Sequence, residues 1–452
     1  MGLNDFFTGY HTQMKASKQA TLNADFVTAI NKLPDYSKSH NSYVLSKLEA
    51  GRLYYLTDDW EKSRKALEQA YEEIAEQNNA AKYQISSGLK NVGSVLSNDN
   101  ALQYRVPSYE QGMLHSYQAL NYLFAGNIES ALVEVRRANL VQEQALSDNQ
   151  KLIDEAKDSL KSEGMDVSRL YSSYPDMSGV IGSVKNSFQN AFTFYLSALL
   201  YEINGDTNDA YIDYKKALEI NQDNAYIQKD VWRLANDLQM VDDLAQFKHD
   251  FDELSQEENA AIENGGEVIL LIEQGVVHSR EDVSINLPVF TRHDDLRFFS
   301  FSLPVYRGSS ASMPVEVFTD GDSYASQEIV QIQSLAAKAL KDELPWLVAR
   351  QVVRVVAKEE MRRKMSREGG DIGNIVASLY NISSEKADTR SWSTLPSNVQ
   401  IVRLKLPVGR QALTIRNNRQ SHQIPLDVTK NSFHVLNVTD IGNKIHVREK
   451  TF

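Results

Sequence analysis

The chain has no cysteine at any of its 452 positions. That absence excludes disulfides, thiolate metal sites, iron–sulfur clusters and cysteine nucleophiles together. It leaves the compartment open, because a chain without thiols suits an oxidising envelope and a reducing cytoplasm alike. Long apolar runs are missing too. The longest, Val268 to Ile272, falls far short of the roughly 20 residues that span a bilayer, and Val352 to Val356 is broken by Arg354, so no transmembrane helix is expected. The start, Met1-Gly2-Leu3-Asn4-Asp5-Phe6-Phe7, has no basic segment leading into an apolar core, so no signal peptide is expected in it. Phe6 stands where N-myristoylation would want Ser or Thr.

Catalytic signatures are scarce. None of the nine histidines pairs with another at the i, i+4 spacing of a helical zinc site. No G-x-S-x-G elbow supports a hydrolase triad. Gly369-Gly370-Asp371-Ile372-Gly373 lacks the Lys-Ser/Thr of a phosphate loop and reads as a turn ending a helix. The one dense polar cluster around a histidine is Thr291-Arg292-His293-Asp294-Asp295, a turn between strands or, alternatively, an acid–base or metal site. No catalytic residue, metal or cofactor is expected; an envelope hydrolase using His293, Asp294 or Asp295 is the enzymatic alternative.

Hydrophobic residues make up 42% of the chain and charged residues 24%, as in ordinary folded proteins, and the length fits two to four domains. The net charge of −12 is divided unevenly: residues 1–264 carry 39 acids and 24 bases, residues 265–452 carry 21 acids and 24 bases. An acidic amino-terminal region argues against nucleic-acid binding. The split suggests that the two regions have different partners, or that each is the other's partner.

Three segments share one spacing. Gly51, Tyr54, Asp58, Ser63, Leu67 and Ala70 are matched by Ala119, Tyr122, Gly126, Ala131, Val135 and Ala138, and again by Ala198, Tyr201, Gly205, Ala210, Tyr214 and Ala217. Small residues on two antiparallel helices let their backbones approach, a tyrosine fills the gap one turn on, and Gly-Asn or Gly-Asp supplies the turn. The segment from Ala198 to Asn224 closely resembles a tetratricopeptide (TPR) repeat. The repeats are not contiguous; helices at 79–97 and 141–162 fill the gaps, with an irregular stretch from Gly164 to Gly182. Further helical pairs are expected at 3–33 and 226–255, giving an all-α solenoid over 1–264.

At Glu263-Asn264-Gly265-Gly266 the hydrophobic period falls from 3.6 to 2. Residues 265–452 read as an α+β domain, with strands at 267–277, 283–290, 297–306 and 314–319 and again at 398–406, 411–416, 422–429, 433–438 and 444–448. A long central helix, about 325–365, separates the two groups. Ala336, Leu340, Leu344, Leu347, Val348, Val352 and Val355 form its buried side. Arg350, Arg354, Lys358 and Arg362 recur every four residues along it, thickened by Arg363, Lys364 and Arg367. This stripe is either a solvated face paired with Glu359 and Glu360 or a docking surface for the acidic solenoid, an anionic glycan or a lipid. Arg390 and Trp392, in Ala387-Asp388-Thr389-Arg390-Ser391-Trp392, make either an exposed recognition loop or a lid whose ring closes the core.

Across nearly its full length the chain resembles a family of bacterial TPR-containing envelope lipoproteins of largely uncharacterised function. The resemblance is carried by Gly2 to Phe7, Leu120 to Asn139, Ala198 to Ala217, Ala339 to Lys358, and Asp388-Thr389-Arg390-Ser391-Trp392 with Leu395-Pro396. It implies a lipidated cysteine, absent from this sequence, with Met1 in its place, and hence a lipid anchor on the periplasmic side of the outer membrane. It also implies a non-catalytic scaffold for envelope assembly or cell-wall regulation, holding an envelope protein or peptide in the solenoid groove. A glycan- or anionic-polymer-binding module using the basic helix is the alternative.

Overall fold

A computed structural model describes residues 9–87, 100, 102–163, 168–250, 265–290, 296–309, 311–354 and 386–452. Up to residue 250 the described chain is helical: α1 (Tyr10–Leu22), α2 (Phe26–Asn31), α3 (Tyr43–Leu56), α4 (Trp60–Ser87), α5 (Ser108–Phe124), α6 (Ile128–Glu163), α7 (Ser168–Ser173), α8 (Ser178–Ile181), α9 (Ala191–Ile203), α10 (Thr207–Ile220), α11 (Ala225–Asp237) and α12 (Val241–Asp250). The three repeated segments are the hairpins α3/α4, α5/α6 and α9/α10.

Their spacing has the expected cause. Every small residue of the pattern is buried, and a Cβ on Gly51 would lie 2.5 Å from Leu67 Cδ2, so the first and fifth positions meet across the hairpin. Ser63 Oγ donates to the Gly51 carbonyl at 2.8 Å, tying the first position to the fourth. The turn residues Asp58, Gly126 and Gly205 all sit in the left-handed region, at φ +60°, +79° and +85°. Asp, like Gly, tolerates that conformation, which is why the first repeat keeps the geometry without a glycine. Helices α11 and α12 add a fourth hairpin, with Gln239 left-handed at its turn. The expected helix at 79–97 continues α4 as far as Ser87, and 141–162 is the distal part of α6.

The second half holds eleven described strands: β1 (Gly265–Gln274), β2 (Glu281–Phe290), β3 (Leu296–Val305), β4 (Glu316–Phe318), β5 (Ser323–Ala325), β6 (Gln327–Gln331), β7 (Asn398–Pro407), β8 (Gly409–Arg416), β9 (Ser421–Val428), β10 (Phe433–Ile441) and β11 (Lys444–Thr451). A five-stranded sheet runs β11-β10-β1-β7-β6, a four-stranded one β5-β4-β8-β9, and β2-β3 stand as a hairpin. In the larger sheet β1 and β10 are parallel and the other pairs antiparallel.

The larger sheet is the middle layer of the molecule. On β1, Val268, Leu270 and Ile272 pack with Leu413, Ile415 and Leu426 of the smaller sheet, whereas Ile269 and Leu271 join the core made with the solenoid. Burial on both faces explains why β1 is the longest apolar run in the domain.

The long helix begins later than its sequence suggests. Residues 323–331 form β5 and β6, and the helix, α13, is described from 332 to 354. Ile329 and Val330 are buried, and β6 hydrogen-bonds β7, so tertiary pairing overrides the helical composition of Gln327-Glu328. Ala336, Leu340, Leu344, Leu347, Val348 and Val352 are buried as expected. Val355 lies outside the described residues, as does Gly369 to Gly373. Of the stretch from Gly164 to Gly182, the described part, 168–182, packs on the carboxy-terminal side: Tyr174 Oη donates to the Pro304 carbonyl at 2.5 Å and Ser334 Oγ to that of Val180 at 2.7 Å.

Gly51→Ala tests the hairpin geometry. The added methyl should cost about 1–3 kcal/mol of overpacking, partly offset by up to about 1 kcal/mol of helix propensity. Urea denaturation should therefore show a net loss; an unchanged or higher midpoint contradicts the close approach of α3 and α4.

Candidate functional site: the seam and the outer groove

The solenoid's inner face is covered by the chain's own sheet. Along β1, β7, β10 and β11, four polar side chains on the face toward the helices, Glu273, Asn437, Arg448 and Arg403, are each met by a group of the solenoid.

At the centre Glu273 of β1 pairs with Arg52 of α3 at 2.9 Å, both side chains fully buried, and Tyr117 of α5 donates to Glu273 Oε1 at 2.8 Å. The Arg52 guanidinium lies 4.6 Å from the Tyr117 ring centroid. Burial works against the Arg52 charge, but Glu273, with Tyr117 and Tyr55, together outweigh it and raise the guanidinium's pKa. One strand over, Asn437 of β10 accepts from Tyr55 Oη at 3.0 Å.

Arg448 of β11 binds Asp58 Oδ1 through Nε at 2.5 Å and donates to the Leu56 carbonyl at 3.1 Å, and His446 reaches Asp58 Oδ2 at 2.9 Å. The aspartate that replaces glycine in the first repeat is thus itself a contact to the sheet.

Arg403 of β7 is held by Glu202 (2.9 Å), Asp230 (3.0 Å) and its strand neighbour Glu267 (3.1 Å), while Arg233 adds a second cation on the same two solenoid acids. Burial pushes Glu202 up, but Arg403 and Arg233 outweigh it and hold its carboxyl down at about 2.

The segment before β7 completes the seam. Trp392 is 0% exposed and Arg390 is buried, so neither forms an exposed recognition loop; the ring closes the core. Trp392 stands edge-on to Tyr117 with centroids 5.9 Å apart. Arg390 grips Asp388 through Nε (2.8 Å) and Nη2 (2.6 Å) and donates to the Leu102 carbonyl at 2.8 Å. Glu49 accepts from the backbone N–H and hydroxyl of both Ser393 and Thr394. Glu110 accepts from the Trp392 N–H (2.9 Å), Tyr104 Oη (2.8 Å) and Tyr109 Oη (2.9 Å). Burial lifts the Glu110 carboxyl to about 7 in spite of those donors.

The basic stripe does not survive as one face. Arg354 is 1% exposed, so it is neither a solvated side chain nor open to an external glycan or lipid. A four-residue step turns 400°, and the 40° drift brings the stripe round toward the core side of α13. Arg350 is half-buried with its guanidinium 4.8 Å from the Trp346 ring centroid. Lys358, Arg362, Arg363, Lys364 and Arg367 lie outside the described residues, as do His293, Asp294 and Asp295.

Another concavity lies on the solenoid, and none of its lining residues belongs to the sheet domain. It is a groove of about 440 Å³ between α4, α5 and α6, lined among others by Arg64, Glu68, Tyr122, Val133, Glu134 and Arg137. Arg64 lies over Tyr122 and Arg137 over Tyr71, at 5.2 and 4.6 Å. Glu134 binds His115 at 2.7 Å and Arg137 at 2.8 Å. Val133 and Leu140, 44% and 53% exposed and seven residues apart, share one face of α6. No sequence motif marked this groove; the exposed apolar pair on a repeat helix was the available signal. Among the described residues no group of three or more His, Asp or Glu could hold a metal, and no helix is long and apolar enough to cross a membrane.

No family model matches the chain, and no curated protein matches it. Among solved structures, one described as the TPR2AB-domain:pHSP90-complex of yeast Sti1 is similar over 53% of this chain and 88% of that chain, at 10% identity and a TM-score of 0.19. A likeness at that level carries no argument, so the fold rests on the geometry above.

Two predictions test the seam. Arg52→Met leaves Glu273 buried and uncompensated and should cost about 3–5 kcal/mol in urea denaturation, with Arg52→Met/Glu273→Leu costing less than the two single changes combined. Additive losses contradict direct coupling. For Glu110, the folded pKa of about 7 lies above the ordinary 4.5, so its contribution is full below pH 4.5 and is lost as pH rises through 7. The stability difference between wild type and Glu110→Gln should therefore shift toward the variant across that window. A difference independent of pH contradicts the assignment.

Proposed function

We propose that this chain is a non-catalytic, protein-binding scaffold of the bacterial envelope whose solenoid is braced internally by its own carboxy-terminal domain. One observation carries the reading: the inner face, where a partner peptide was expected, is occupied by the larger sheet through the buried contacts of Arg52, Glu273, Arg403 and Arg448. A partner then meets the outer groove, where Val133 offers an apolar anchor among charges of both signs and Leu140 stands exposed two turns further along the same face of α6. The chemistry suits a protein segment with an apolar residue between opposite charges rather than a polyanion, because acids and bases line the groove equally. A lipid anchor, a place on the periplasmic side of the outer membrane, and a role in envelope assembly or cell-wall regulation belong to this proposal and are supported by the family resemblance alone.

The test is a photocrosslinking amino acid placed in living bacteria at Leu140 or Val133, and for comparison at Val408, an exposed turn residue of the sheet domain. Reproducible bonding of one envelope protein from Leu140 and Val133, absent from Val408, is the expected result. Equal, diffuse bonding from all three positions overturns the reading.

A further inference from the structure

A second cavity, of about 90 Å³, lies where the loop before α5, the start of β2, α13 and the Asp388–Arg390 loop meet. Its volume falls between the about 30 Å³ share of one water and the about 150 Å³ cavity that holds benzene. Trp346, Leu347, Pro107 and Pro304 give it largely apolar walls.

The charged lining is unbalanced in one place. Arg280 is 4% exposed; its Nε donates to Tyr306 Oη at 3.3 Å, and its Nη2 has no hydrogen-bond partner. Among the described residues no carboxylate comes within ion-pair distance of it. Asp388 is engaged by Arg390 on both oxygens, and Asp342 binds Lys338 and Ser187. Glu343 lines the same cavity, and its field favours the Arg280 charge without an ion pair forming. A buried guanidinium with an idle donor is costly, and an anion seated beside it removes that cost.

We propose that this cavity is a binding site for a terminal carboxylate on a short apolar body, held by the Arg280 guanidinium with the apolar part against Trp346 and Leu347. A single negative charge is what the site takes. A phosphate dianion would bring a second negative charge against Glu343 and Asp388. Two sources offer this chemistry, a small organic acid and the free end of a peptide. Because five separate segments wall the cavity, a bound carboxylate would tighten the junction of the two halves, whichever surface recruits a partner.

The experiment is calorimetric titration of the full-length protein with propionate, propionamide, inorganic phosphate, trialanine and trialanine amide. Propionate or trialanine should bind, with a dissociation constant between about 10 μM and 10 mM for so few atoms. The two amides should not. Arg280→Gln should weaken binding at least tenfold. Leu102→Trp, which fills the cavity and leaves every charge in place, should abolish it, so the test survives if Arg280→Gln does not fold. Propionate binding without trialanine identifies the small acid as the source, and tighter binding of trialanine identifies a chain end. Absence of carboxylate binding at 50 mM, equal binding of the amides, preference for phosphate, or binding untouched by Leu102→Trp overturns the proposal.

Discussion

A carboxylate on the central strand of a sheet, fully removed from water and facing a wall of helices, is the constraint around which this molecule is arranged. Glu273 is tolerable only because Arg52 and Tyr117 reach it from two different helical hairpins. That requirement fixes how the hairpins sit over β1, and the neighbouring contacts repeat the logic at Asn437, Arg448 and Arg403. In each, a polar group on the strand face toward the helices is matched by a group more than 150 residues away in sequence. The uneven division of charge is reflected at two of these contacts: at Arg448 and Arg403 the sheet supplies the cation and the acidic solenoid the carboxylate, while Arg52–Glu273 reverses the order.

The consequence for function is a change in what the solenoid is for. Stacked helical hairpins ordinarily offer a concave face to a partner; here that face is the docking surface of the chain's own second half. Buried charges of this kind contribute less to stability than to specifying one arrangement, since apolar replacements could pack equally well while a shifted register could not satisfy them. A scaffold of this sort has a fixed shape, and its surfaces for other molecules lie outside, in the groove between α4 and α6, or between the halves, in the cavity beside Arg280.

Much of the architecture was legible in the sequence because it has local causes. The three repeats showed because close helix approach demands small residues at set positions, as Gly51 against Leu67 illustrates. Strand β1 showed because burial on both faces demands an unbroken apolar run. The seam was not legible, since nothing near Glu49 or Glu110 in sequence announces that Ser393, Thr394 and Trp392 will donate to them. Arg390 and Trp392 fit both a surface loop and a lid, with the lid the better fit, because composition does not record depth. The spacing of Arg350 and Arg354 looked like one face, yet helix drift puts the second in the core. The helix start was misplaced because Gln327 to Gln331 pairs with β7, a contact invisible to local propensity. Signals did exist within strands: a single charge in Val-Ile-Leu-Leu-Ile-Glu or Ile-Val-Arg-Leu marks a buried partner elsewhere.

The central claim, that buried cross-contacts make solenoid and sheet one cooperative body, is tested most directly by native-state hydrogen exchange in increasing urea. The account predicts that the slowest amides of α3, α5 and α9 and those of β1, β7 and β10 converge on one opening free energy with one denaturant dependence. If the helices open at lower free energy while the sheet stays closed, the two halves are independent bodies in contact and the account is wrong.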